Sequence, residues 1–242
     1  MRRVGVLGGM GPAATLDFMS KLIALTPAER DQDHLPVICA NLPQIPDRTA
    51  AILGRGEDPL PSLLRGITIL NEAAVELIAI PCSTSHHWYA ALSRASRAPI
   101  LHIAPAAVAR VPPGERTLVL ATRGALHSGI YQRELAARCI PCEVPDPDLS
   151  QPRVDDCIRL TKSGQVALAG AVLGGVLNEA RARGIGSVLL GCTELPLAAR
   201  YAEPDGLQLI DCTLELARRT VACALGERPG ASRALESADL LQ

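Results

Sequence analysis

One repeated segment restricts this chain more than any other feature. Ile78-Ala79-Ile80-Pro81-Cys82-Ser83-Thr84 echoes Val188-Leu189-Leu190-Gly191-Cys192-Thr193-Glu194. Each is an apolar run entering a turn residue, then a cysteine and a hydroxyl residue. The cysteines lie 110 residues apart in a chain of 242. A fainter echo links residues 5–15 with 119–128. Such a duplication predicts two related lobes, each carrying a thiol just past the carboxyl end of an equivalent strand.

The intervening pattern fits that reading. Short apolar runs at residues 3–7, 36–40, 77–80, 100–103, 117–121, 140–144, 187–190 and 207–210 read as strands, the second of them buried and the sixth an edge. Stretches of helical period alternate with them, at residues 14–25, 61–75, 88–96, 128–138, 165–183 and 213–225. Gly184 is placed to close the longest helix. Strands alternating with helices predict an α/β fold with parallel sheets covered on both faces. Ligands of such sheets bind beyond the carboxyl ends of the strands. Pro112-Pro113-Gly114 marks a break between lobes. The first lobe is read as residues 1–106 with 207–228 returned to it, the second as 107–206. Residues 229–242 read as a polar, frayed tail.

Composition removes several function classes. Aromatic residues are only 2% of the chain, so base-stacking nucleic-acid modules are hard to build. A net charge of −1 with interspersed signs offers no basic footprint for nucleic acid or an anionic membrane. No apolar stretch approaches the roughly 20 residues of a spanning helix. The opening Met1–Leu7 segment is too short in its apolar part for a signal peptide and reads as a first strand, so the expected compartment is the cytoplasm. With eight cysteines, several inside apolar runs, reduced thiols are expected rather than disulfides.

The paired cysteines carry the chemistry. If a helix starts after each, its N-terminal N–H groups and dipole lower a thiol pKa from about 8.5 toward neutrality. Ser83, Thr84 and Thr193 are placed to cap those helices. With the lobes face to face, Cys82 and Cys192 confront one cleft. A thiolate on one side removes a proton and a thiol on the other returns one to the opposite face, as inversion at a carbon requires. Ordinary buried cysteine is the competing explanation for each alone.

Gly8-Gly9-Met10-Gly11-Pro12-Ala13-Ala14-Thr15, Pro81-Cys82-Ser83-Thr84-Ser85-His86 and Gly191-Cys192-Thr193-Glu194 resemble the aspartate/glutamate racemase family. Ile45-Pro46-Asp47-Arg48-Thr49, Leu120-Ala121-Thr122-Arg123-Gly124 and Lys162-Ser163-Gly164 extend the match over roughly residues 3 to 225. The resemblance implies two lobes about a pseudo-twofold axis, one catalytic cysteine from each, no cofactor, no metal and a homodimer. It places Arg48 and Lys162 on the side-chain carboxylate of a small acidic amino acid, aspartate favoured over glutamate. A guanidinium fork and an ammonium suit that task. Met10 and Thr15 lie in a Gly-rich loop able to hold a carboxylate on backbone N–H groups, although its spacing is not the dinucleotide fingerprint. Ser83, Thr84, Thr122 and Thr193 complete the expected substrate-binding set. His86 and Glu194 are candidates to tune a thiol or relay a proton, with packing and helix capping as their structural alternatives.

Two positions depart from the family pattern. Ser83 stands where Asn is usual, and Ala125 where Thr is common, so both put the substrate pocket in doubt. Cys139-Ile140-Pro141-Cys142 has no second pair and falls in an expected strand, which argues against a zinc or redox role. Of the two lysines, Lys21 lies in an amphipathic helix and Lys162 is better used on a carboxylate, so no Schiff-base lysine is evident. Alternatives to racemisation are isomerisation or decarboxylation of another small diacid, a non-catalytic amino-acid-binding protein, and a thiol redox protein. Aspartate and glutamate differ by one methylene, worth only about 1–3 kcal/mol of discrimination.

Overall fold

A computed structural model describes residues 1–203 and 206–226. The expected tail at 229–242, and residues 227–228, lie outside the described residues. Among the described residues, eight strands form two four-stranded parallel sheets. The first contains β1 (Val4–Gly8), β2 (Val37–Asn41), β3 (Leu77–Ala79) and β4 (Ile100–Leu101), in the order β2-β1-β3-β4. The second contains β5 (Thr117–Leu120), β6 (Cys142–Glu143), β7 (Ser187–Leu190) and β8 (Gln208–Asp211), in the order β6-β5-β7-β8. The strand order repeats, and β3 and β7 are equivalents.

Eleven α-helices join these strands among the described residues. Around the first sheet run α1 (Pro12–Leu25), α2 (Arg48–Ile52), α3 (Leu60–Glu72), α4 (Tyr89–Ala95) and α5 (Ile103–Val108). Around the second run α6 (Arg123–Ser128), α7 (Ile130–Ala137), α8 (Gln151–Lys162), α9 (Val166–Ala182) and α10 (Leu195–Ala199). The last described helix, α11 (Cys212–Leu225), packs on α1 and α5. Asp211 caps it, its Oδ1 accepting from the backbone N–H groups of Thr213 and Leu214 at 2.8 and 2.9 Å.

Alternation along the strands explains why the lobes are joined. Val4, Val6, Leu77 and Ala79 point into a core shared with Val119, Ala121 and Leu189 of the other sheet. Their neighbours Leu7, Ile78 and Ile80 point to a separate core under α3. Leu118, Leu120, Val188 and Leu190 likewise join α8 and α9 on the far side. Both faces of the inner strands are therefore buried, which accounts for their unbroken apolar runs.

Three expectations need correction. The run at 36–40 is a strand but not a buried one. β2 bonds only to β1 at the sheet edge, leaving Ile38 40% exposed and Cys39 exposed. The helix expected over 128–138 is α7, but it begins only at Ile130, because Gly129 adopts φ +64 and separates it from α6, a helix that the sequence did not predict. Helix α8 was not expected at all. Its apolar stripe of Val154, Cys157 and Ile158 is interrupted by Arg153, Asp155, Asp156 and Arg159. No helix among the described residues is long and apolar enough to cross a membrane.

Candidate active site

The ends of β3 and β7 deliver Cys82 and Cys192 to one narrow cleft. Its lining includes Met10, Arg48, Ser83, Thr84, Thr122, Lys162, Thr193 and Glu194, all singled out from the sequence. Asp47 and Thr49 line it too and were not singled out, although both belong to the quoted Ile45–Thr49 motif. Both thiol-bearing residues are buried, at 4% and 5% exposure. A wider, open pocket adjoins the cleft and shares Asp47, Arg48, Lys162 and Glu194 with it.

The two thiols differ in their partners. Cys192 Sγ donates to Glu194 Oε2 at 3.0 Å, and the Thr193 hydroxyl donates to the same oxygen at 3.3 Å. The Gly11 N–H holds the other carboxylate oxygen at 3.2 Å. Burial and the nearby Glu194 charge push the Cys192 thiol well above its ordinary pKa. This reverses the expectation of a thiol lowered by a helix N-terminus. The cause is local: burial and the Glu194 carboxylate outweigh anything the five-residue α10 can supply at its N-terminus. Cys192 therefore rests as a protonated thiol aimed at a carboxylate.

Lys162 is the last residue of α8. Burial alone would lower its pKa, but Glu194, Cys192 and Cys82 outweigh this and raise it. Its ammonium thus stays charged at the cleft. Arg48 opens α2 from the other lobe, where Asp47 Oδ1 caps the helix by accepting from the Ala50 N–H at 2.7 Å. Arg48 Nη1 donates to the Ile45 and Pro46 carbonyls at 3.0 and 2.9 Å, and its buried Nε has no partner. Arg48 is thus held by its own loop, and its Nη2 reaches the Met10 carbonyl of the Gly-rich loop at 3.4 Å.

Several expected contacts are placed differently. Thr15 does not line the cleft. Its hydroxyl accepts from the Gly9 N–H and donates to the Gly11 carbonyl, both at 2.9 Å, so it shapes the Gly-rich loop from beneath. That loop's Gly11 N–H is bonded to Glu194, an internal carboxylate. Ser83 and Thr193 cap no helix. The Thr84 hydroxyl pairs with that of Thr122 across the lobes at 2.9 Å, and Thr122 caps α6 by accepting from the Ala125 N–H. Ala125 packs in the shared core and is absent from the cleft lining, so its influence passes through Thr122.

His86 is tied at both ring nitrogens. Nε2 accepts from the Ile103 N–H at 3.2 Å, which leaves Nδ1 to donate to the Cys82 carbonyl at 2.9 Å. It holds the Cys82 backbone rather than the thiol. Burial lowers its pKa from 6.5 to about 4, and burial also lowers that of neighbouring His102 to about 3. A buried neutral histidine stabilises the fold above its unfolded pKa, and the contribution is lost as pH falls toward its folded value. The shift at His86 corresponds to about 3 kcal/mol. Denaturant unfolding is therefore expected to show stability falling steadily from pH 6.5 to 4. An unfolding midpoint unchanged over that range would rule out the neutral buried state.

All eight cysteines are free. Cys139 and Cys142 lie at the edge of the second sheet, away from the cleft lining. Among the described residues, no cluster of His, Cys, Asp and Glu is placed to hold a metal ion.

Comparison with known proteins places this geometry among relatives. The Asp/Glu/Hydantoin racemase family matches residues 7–220. The broad specificity amino-acid racemase RacX of Bacillus subtilis (strain 168) is 28% identical over 229 residues, covering 92% of this chain and 98% of the relative. An aspartate racemase structure from Picrophilus torridus superposes with a TM-score of 0.82 at 29% identity, covering 94% and 96% of the two chains. A glutamate racemase structure from Francisella tularensis shares the fold at a TM-score of 0.67 and 20% identity, covering 93% and 81%.

Proposed function

This chain belongs to the Asp/Glu/hydantoin racemase family, and from that premise we propose that it inverts the α-carbon of a small acidic amino acid, aspartate before glutamate, using Cys82 and Cys192. The observation that carries this reading is the convergence of both thiols, one from each lobe, on a cleft that also holds Arg48 and Lys162.

In one direction the Cys82 thiolate takes the α-proton, and the Cα–H electron pair stays on carbon. Cys192 then gives its proton to the opposite face and is left as the thiolate. The reverse direction exchanges these roles. Removal of an α-proton beside a carboxylate is steep, and an enclosed cleft with fixed donors lowers that barrier. Lys162 and the Arg48 loop hold the side-chain carboxylate. The Thr84–Thr122 and Thr193 hydroxyls stand beside the thiols, where the α-carboxylate belongs. Lys21 is engaged by Asp17 at 2.5 Å and Asp211 at 2.6 Å, so it offers no free amine for a Schiff base. On the family resemblance, with Lys162 assigned to the substrate carboxylate, the reaction is assigned to the thiols without an organic cofactor. A cytoplasmic homodimer is the form we assign to the enzyme, on the family resemblance.

Similarity to RacX and the wide adjoining cavity support a second reading, in which longer or uncharged side chains are also accepted. One assay decides between them. Reduced protein is incubated in D₂O with L- or D-aspartate, then glutamate, then a panel of neutral and basic amino acids. Proton NMR follows deuterium at Cα and chiral chromatography follows inversion. Deuterium uptake with inversion, fastest for aspartate, is expected. Faster turnover of neutral or basic amino acids favours the second reading. No exchange with any of them, from folded protein with free thiols, overturns both.

A further inference from the structure

Tyr131 is the largest fully buried side chain among the described residues, at 0% exposure. It sits in the first turn of α7, and the cleft does not include it. Its hydroxyl lies 2.7 Å from Ser83 Oγ, the residue after Cys82. The edge of its ring lies against Gly191, the residue before Cys192. A Cβ at Gly191 would stand 2.8 Å from Tyr131 Cε2, 3.1 Å from Cδ2 and 3.2 Å from the Leu120 carbonyl oxygen. Gly191 is pinned there by its own N–H, which donates to the Leu120 carbonyl at 2.7 Å. A single rigid ring therefore touches both thiol-bearing turns, one through a hydrogen bond and one through close packing.

We propose that Tyr131 is a positioning residue that sets the spacing between the Cys82 and Cys192 turns, acting through Ser83 on one side and Gly191 on the other. The proposal rests on the two-thiol reading for its effect on turnover. Its structural basis is independent of that reading. Two acid–base groups acting on opposite faces of one carbon must both be held in register, and a misplacement of about 1 Å costs on the order of 100-fold in rate. Two lobes joined by an aliphatic core need a stiff spacer for this, because aliphatic side chains tolerate rearrangement more readily than an aromatic ring locked at both ends. The Tyr131 hydroxyl is satisfied by Ser83 in a dry place, with Cys212 Sγ, at the start of α11, 3.9 Å from the same Ser83 Oγ. Burial raises the Tyr131 pKa well above 10, with the Cys212 side chain next in effect, so the phenol stays neutral and keeps its proton to donate.

This arrangement also accounts for Ser83. The sequence assigns its hydroxyl to the substrate; in the structure that hydroxyl is paired with Tyr131. A short side chain at this position reaches the phenol.

Tyr131→Phe keeps the ring against Gly191 and removes the bond to Ser83. The expected result is a kcat lower by about tenfold with KM changed less than about twofold, since the register of the acid–base groups is lost while the carboxylate grip remains. Ser83→Ala in the Tyr131→Phe background is expected to add little, because both variants remove the same bond. Iodoacetamide labelling, read peptide by peptide by mass spectrometry, supplies a measure that needs no substrate. Tyr131→Phe is expected to change the labelling rate at Cys82 at least threefold and to leave Cys192 within about twofold. The conservative variant retains the ring, and its fold is checked by thermal unfolding. Wild-type kcat together with wild-type Cys82 labelling overturns the proposal, as do fully additive losses in the double variant. If the wild-type protein shows no turnover, the racemase reading fails and the labelling pattern alone decides the role of Tyr131.

Discussion

Cys82→Ala and Cys192→Ala are each expected to lower the rate of α-carbon inversion about 1000-fold or more, the range for removing a positioned acid–base group. Inversion needs one group on each face. With either thiol gone, the carbanion has no donor on one side, or the proton no acceptor. The single variants should nonetheless differ. A remaining thiol can remove a proton and return it to the same face, so each variant should wash deuterium into one enantiomer with retention, and the two should prefer opposite enantiomers. The resting partners sharpen this expectation. Cys192 holds its proton toward Glu194, whereas among the described residues no carboxylate is bonded to Cys82. Chiral analysis with NMR in D₂O reads both effects. Wild-type inversion in either variant would show the two-thiol mechanism to be wrong.

Lys162→Met is expected to lower kcat/KM for aspartate about 100- to 1000-fold, comparable to the loss of a preorganised electrostatic donor. Two effects add. The ammonium assigned to the substrate carboxylate is lost, and Arg48 cannot fully replace it because its Nη1 is held by the Ile45 and Pro46 carbonyls. Glu194 is also left without its neutralising charge. Lys162 lowers the Cys192 pKa in the wild-type site, so its removal should move the alkaline limb of the pH–rate profile upward. The loss should be much smaller for a neutral amino acid such as alanine, which has no side-chain carboxylate to hold. Steady-state rates on both substrates across pH 6–10 test this. Equal losses on aspartate and alanine would remove Lys162 from the side-chain carboxylate.

How far the site could be read from the sequence depended on the range of the interaction that made it. Strand β7 spans Ser187–Leu190 as its apolar run predicts, and α9 lies within one residue of the expected helix at each end. Local period and turn chemistry are enough for elements of this kind. Helix α8 carried a readable stripe at Val154, Cys157 and Ile158, but its charged residues obscured it, and with it the element that aims Lys162 into the cleft. Asp47 and Thr49 belong to the Ile45–Thr49 motif, yet nothing local marks them as cleft-lining. Tyr131 had no local signal, since nothing near it in sequence tells that its ring reaches Gly191 and its hydroxyl Ser83.

The sequence by itself determined that this is a duplicated α/β chain with a cysteine at the end of two equivalent strands, because strand alternation, turn residues and repeats are written within a few positions of one another. Only the tertiary structure decided that Glu194 accepts hydrogen bonds from the Cys192 thiol and the Gly11 N–H, that His86 is spent on backbone, and that Tyr131 spans both thiol turns. The reason is physical. Hydrogen-bond partners and desolvation depend on groups brought together across up to 183 residues of chain, and the same side chain has a different pKa in water than against a buried carboxylate.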